Sequence, residues 1–131
     1  MGQKILIERV AETRCVSIPA GEVNSNSFVL SGFVFGSFQM PAGFDGAAVT
    51  LQVTNVQLFE GKIPTDRPDP STFVDAIDYE ANASGGAHPP IAVAAGGGAY
   101  LWAEASAFKW GRFVSDVEQV KEISIPVSLI S

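Results

Sequence analysis

Between Ser27 and Phe59 two apolar runs flank a cluster of turn-forming residues, and this arrangement constrains the fold more than any other stretch of the chain. One run is Phe28 to Met40 and the other is Ala47 to Phe59, with Pro41, Gly43, Asp45 and Gly46 between them. Proline fixes φ, glycine accepts positive φ, and aspartate can bond its own backbone, so the gap reads as a turn. In the second run Val49, Leu51 and Val53 alternate with Thr50, Gln52 and Thr54. That period of two belongs to a strand with one wet face. In the first run Phe28, Leu30, Gly32, Val34, Gly36 and Phe38 share one face. Val29, Ser31, Phe33, Phe35, Ser37 and Gln39 share the other. Aromatic residues on both faces predict a strand covered on both sides. The whole stretch reads as the central antiparallel pair of a β-sandwich.

The same period recurs along the chain. Lys4 to Val10 and Arg14 to Ile18 read as strands, the second stopped by Pro19-Ala20-Gly21. Glu22 to Asn26 reads as a polar surface loop. Glu60 to Thr72 holds three prolines and two aspartates, and each proline removes a ladder donor, so no central strand fits there. Phe73 to Tyr79 alternates but carries acids, the pattern of a half-exposed edge strand. Glu80 to Pro90 reads as a second loop, Ile91 to Ala95 and Tyr100 to Trp102 as short strands, and Ala103 to Phe108 as a single helical turn. Trp110 to Val114 and Ile123 to Ile130 close the count, with Pro126 expected to push the last run to a sheet edge or a bulge. The expectation is an all-β chain. It is a single antiparallel β-sandwich, jelly-roll or Ig-like, of about eight strands with at most one helical turn. Residues 1–131 form one domain, with 1–16 a candidate N-terminal contact strand and 60–72 and 80–90 inserted loops.

Composition narrows function. Charged residues make up 17% of the chain, under the usual ~25%, which argues for a surface partly covered by a partner. The net charge is −6, and the basic residues Lys4, Arg9, Arg14, Lys62, Arg67, Lys109, Arg112 and Lys121 are scattered. Nucleic-acid binding and docking on anionic membranes both need clustered Lys and Arg, so neither is expected. No apolar run approaches the ~20 residues of a membrane helix. Met1 to Val10 lacks the apolar core of a signal peptide. Cys15 is the single cysteine and reads as a small core residue.

No residue set carries chemistry. His88, the one histidine, precedes Pro89-Pro90 without a Gly-x-Ser-x-Gly elbow and reads as a loop residue. Asp66, Asp69, Asp75, Asp78 and Glu80 form the densest acidic run. Asp75 and Asp78 face opposite ways on a strand, so no convergent calcium site is expected. Gly96-Gly97-Gly98 lacks the Lys-Ser/Thr of a phosphate loop and reads as a strand-to-strand turn. Tyr100, Trp102, Trp110 and Phe113 fit core packing or a sugar-stacking platform. Catalytic residues, metals and cofactors are therefore expected to be absent.

An ordered set of segments resembles the small β-rich virion structural proteins of tailed bacteriophages. Its carriers are Ser27 to Met40-Pro41, then Phe44-Asp45-Gly46-Ala47 leading into Val49 to Thr54. Pro90 to Gly96 follows, then Phe108 with Arg112-Phe113-Val114, then Ile123 to Leu129. The set covers roughly Ser17 to Ile130, and the chain departs from the family pattern at Glu60 to Thr72 and Glu80 to Pro90. The resemblance implies a virion component made in the host cytoplasm, a capsid decoration (cement) protein or head-fibre base. Its partners would be the major capsid protein and copies of itself in a homo-oligomer. The contact candidates are Ile63, Pro64, Arg67, Pro68 and Pro70 in one loop and His88 and Pro89 in the other. A carbohydrate-binding module or a tail or fibre component is the alternative, and it requires Trp102 or Trp110 to be exposed.

Overall fold

The computed structural model describes residues 11–33, 35–75, 91–93, 97–103 and 108–130. Among these residues the fold is all-β: two antiparallel sheets packed face to face and a separate two-stranded ribbon. The first sheet orders β1 (Ala11–Ile18), β11 (Ile123–Ile130), β3 (Phe35–Met40) and β9 (Gly98–Ala103) side by side. The second orders β2 (Phe28–Val29), β10 (Trp110–Ser115), β4 (Ala48–Thr54) and β7 (Val74–Asp75), and β8 (Ile91–Ala92) also pairs with β4. The ribbon is β5 (Gln57–Glu60) with β6 (Ile63–Pro68).

The core follows from the period of two. In β11 Ile123, Ile125, Val127 and Leu129 are buried, while Ser124 and Pro126 are exposed. Val16 and Ile18 of β1 and Phe38 and Met40 of β3 join them from the same sheet. Phe28, Leu30, Val49, Val53 and Phe113 meet them from the other side. β-branched and aromatic side chains suit such half-buried pleated surfaces, and one cluster spanning both sheets makes the sandwich.

Several sequence expectations change. Phe28 to Met40 and Ala47 to Phe59 are not a paired hairpin. The first run breaks at a turn holding Gly32 (φ 89°), so its two strands lie in different sheets. β3 pairs with β11 and β9, whereas β4 pairs with β10, β7 and β8. The segment from Pro41 to Ala47 therefore crosses between sheets. Sheets pack ~10 Å apart, a gap that a two-residue hairpin turn does not bridge. Part of the expected face survives the change: Phe28, Leu30 and Phe38 point into the shared core and Met40 joins them, whereas Gly32 is exposed in the turn. On β3 the opposite face carries exposed Gln39, so that strand is not buried on both sides.

Pro126 sits in an interior strand, not at an edge. The β11–β3 ladder begins at Val127, one residue beyond it, so the missing N–H falls where that ladder stops. Cys15 is exposed, because Val16 and Ile18 take the inward positions of β1. Among the described residues eleven strands replace the expected eight or so, and a single 3₁₀ turn lies at Pro70–Thr72. Lys4 to Val10, Glu80 to Pro90 and most of the expected turn at Ala103 to Phe108 lie outside the described residues.

Glu22 to Asn26 is more than a surface loop, since it laces the two sheets together along one side. Ser25 N donates to Phe113 O at 2.8 Å and Ser115 N to Val23 O at 2.8 Å, continuing the β10 edge. Asn26 reaches the other sheet: its Oδ1 accepts from Ser17 N at 2.7 Å and its own N–H donates to Ser17 O at 3.1 Å.

Gly97 precedes β9 with φ 91°, and a Cβ there would stand 2.2 Å from Met40 O. Backbone cannot yield as a flexible side chain does. Gly97→Ala is expected to cost roughly 2–4 kcal/mol from positive-φ strain and this clash. A urea midpoint that falls at unchanged slope checks it, and an unshifted midpoint refutes it.

Candidate partner-binding hairpin

The ribbon begins with a tight turn. Glu60 and Ile63 pair across Gly61-Lys62, and Gly61 adopts φ 65°. A two-residue turn with positive φ matches the twist of a hairpin. Phe59 pairs with Pro64, but the register then shifts and Gln57 pairs with Pro68. The shift has a cause in the sequence, because Pro64 and Pro68 supply no N–H. Side chains compensate: Thr65 Oγ1 donates to Leu58 O at 2.7 Å, and Gln57 Nε2 donates to Thr65 O. The Pro-rich stretch is therefore half of a hairpin and not a loop.

A network of short polar contacts seats the ribbon on the second sheet. Asp69 N donates to Val56 O at 2.9 Å. The Asp69 carboxylate accepts from Ser71 N at 3.0 Å and Ser71 Oγ at 2.7 Å, and so caps the 3₁₀ turn Pro70–Thr72. The Thr72 hydroxyl lies 2.8 Å from that of Thr54, a buried residue at the end of β4. Phe73 then packs under the guanidinium of Arg112, 4.4 Å from its ring centre. Arg112 donates from Nε (2.9 Å) and Nη2 (2.8 Å) to Gln52 Oε1, and Gln52 Nε2 donates to Asp75 Oδ1 at 3.0 Å. Burial holds the Arg112 pKa below its ordinary value.

Beyond this seat the ribbon is open to solvent. Ile63 is 69% exposed and Phe59 55%. Pro64, Arg67 and Pro70 are exposed and Pro68 is half-buried. Arg67 pairs with Glu60 at 2.6 Å, with both side chains about two-thirds exposed, so the pair adds little to stability. The structure thus gathers five of the expected contact residues, Ile63, Pro64, Arg67, Pro68 and Pro70, on one hairpin and its following turn. His88 and Pro89 lie outside the described residues.

The other nominated groups disperse. Phe113 is fully buried and Trp110 is 8% exposed, so neither serves a stacking platform. Tyr100 and Trp102 lie on β9. Asp69 is occupied in its turn, Asp75 bonds Gln52, and Asp66 is exposed. Asp78 and Glu80 lie outside the described residues. Sequence reasoning missed Phe59, which it placed in the central pair, and the Arg112–Gln52 clamp. The signal for Phe59 was present: Gly61-Lys62 is a two-residue gap between the apolar residues Phe59 and Ile63. A scan against protein-family models and searches of curated proteins and of solved structures return no match to this chain.

Proposed function

We propose that this chain is a non-enzymatic virion structural protein of a tailed bacteriophage. It acts as a capsid decoration protein that docks on the outer head shell through the β5–β6 hairpin. One observation carries the reading: a proline-stiffened ribbon stands outside both sheets and presents Phe59 and Ile63 to solvent. Large apolar groups on a firmly seated projection are anchors for a pocket on a partner, and a stiff ribbon loses little entropy when it docks. The ordered segments that resemble tailed-phage virion proteins supply the setting. The net charge of −6 suits the outside of a shell better than its DNA-filled interior. Many symmetric copies of the shell subunit, and contacts between copies of the chain, would add avidity. The sugar-binding alternative loses Trp110, which is buried.

Deleting Glu60 to Thr72 would be a poor test, because it also strips Thr72 from Thr54. The F59S/I63S double variant leaves the seat intact. Burying each side chain on a partner is worth ~1.5–3 kcal/mol, so the variant should bind purified heads about 100-fold more weakly or worse. Its melting temperature should stay unchanged. Wild-type affinity in a sedimentation assay would refute the hairpin as the docking element.

A further inference from the structure

Beneath the hairpin base a cleft of about 270 Å³ opens between the ribbon and the second sheet, where Arg112 of β10 lies beside the Ser25–Ser27 segment. Arg112 lines it from the sheet and Arg67 from the ribbon, with Ser27 beside them and Leu58, Pro68 and Phe73 as apolar walls. Two guanidinium groups facing one small space in an acidic protein need a reason. Arg67 has Glu60 as its partner, but Arg112 has no carboxylate within ion-pair distance among the described residues. Its bonded partner is a neutral amide oxygen. That amide is itself fixed, since its nitrogen is held by Asp75. A guanidinium offers five N–H donors, and described residues engage only two, so the clamp sets the plane of the group and leaves its Nη1 side available to a ligand. The Ser27 hydroxyl likewise bonds no described residue.

We infer that this cleft is a carboxylate-binding site, taking an anionic group on a short aliphatic stem. Arg112 is the primary donor, Arg67 the second cation, and Ser27 a hydroxyl donor. Three features select the ligand class. A partly desolvated guanidinium held in one plane fits the two oxygens of a carboxylate. The apolar walls favour an anion carried on hydrocarbon over inorganic phosphate. The volume lies below the ~300–1,000 Å³ of drug-sized pockets, which suits a single acidic side chain or a short-chain acid and excludes an oligosaccharide. The cleft shares Arg67, Pro68 and Pro70 with the docking hairpin but not its anchors Phe59 and Ile63, so the titration below does not depend on the docking reading.

The test uses the full 131-residue chain and ¹⁵N NMR. Propionate is titrated against propionamide, its neutral counterpart. Propionate should shift the Arg112 Nε–H and Ser27 amide signals saturably, with a roughly millimolar midpoint, while propionamide should not. R67Q removes an exposed side chain and should raise that midpoint about five-fold with no change in melting temperature. Equal shifts with both compounds, no saturable shift, an unchanged midpoint in R67Q, or tighter binding of phosphate each overturns the proposal. Excess propionate added to head-bound protein then identifies the source. Release means that an acidic side chain of the shell fills the cleft, and retention means that a free small acid does. Failure of the chain to bind heads would leave the titration result standing.

Discussion

Phe113→Ala is expected to destabilise the fold by ~3–5 kcal/mol, the range for removing a fully buried aromatic ring from a core. Phe113 is 0% exposed and sits in the middle of β10. Its ring lies 5.4 Å from that of Phe28 in its own sheet and 4.8 Å from that of Phe38 in the facing sheet. Both pairs are tilted, an arrangement worth up to ~1.5 kcal/mol per pair beyond area burial. The residue thus joins the two layers. Domains of this size are stable by only ~5–15 kcal/mol, so the loss is a large share of the total. Thermal melting by circular dichroism should shift down by ~10–20 °C. Phe113→Leu, which keeps most of the volume, should fall by much less. A drop under ~5 °C for the alanine variant would mean that the contact between sheets is not centred on this ring.

Gln119→Leu is expected to cost ~2–4 kcal/mol, although it replaces a polar side chain by an apolar one in a buried place. Gln119 is 1% exposed and every polar atom of its side chain is used. Oε1 accepts from Asp45 N at 3.0 Å, while Nε2 donates to Asp45 O at 2.8 Å and to Ser115 Oγ at 3.0 Å. Its backbone ties in a third segment, accepting from Gly21 N at 2.7 Å and donating to Glu22 O at 3.1 Å. Around it Asp45 Oδ2 accepts from Val120 N at 2.9 Å, and Asp116 accepts from Ala47 N at 3.1 Å. Three connections at one pole of the sandwich therefore close on one residue, the Asp45 segment through its side-chain amide and the Gly21–Glu22 segment through its backbone. Leucine fills the space but leaves the Asp45 N–H and C=O without these partners, and unmade buried bonds cost more than made ones return. Hydrogen exchange at the Asp45 amide should accelerate together with the fall in urea midpoint. A variant within ~0.5 kcal/mol of wild type, with Asp45 still protected, would refute the staple.

How much of this was legible varies by element. The inward residues of β11 could be read directly, because Ile123, Ile125, Val127 and Leu129 alternate with Ser124, Pro126 and Ser128. The Pro-rich stretch makes no central strand, as its prolines predict, yet it was read as a loop and its hairpin was missed. Proline counts record the lost backbone donors, not the side chains of Thr65 and Gln57 that replace them. Gln119 was invisible for a related reason. It stands in Asp116 to Glu122, a stretch between two strand patterns with no period of its own, and its value lies in Asp45, which is 74 positions away. Arg112 looked like one scattered cation until Phe73 and Gln52 were seen to hold it.

By itself the sequence determined that the chain is all-β, that Val49, Leu51 and Val53 share the core-facing side of their strand, and that residues 60–72 make no central strand. Those properties are local: pleat period, proline chemistry and turn residues act within a few positions. Which strands become neighbours was decided only in the tertiary structure. A period of two names the buried face but not the partner, so β3 and β4 part into different sheets and β11, proline included, takes an interior place. The hairpin seat, the Gln119 staple and the cleft under Arg112 belong to the same class, because each joins side chains that meet only after the sheets have packed.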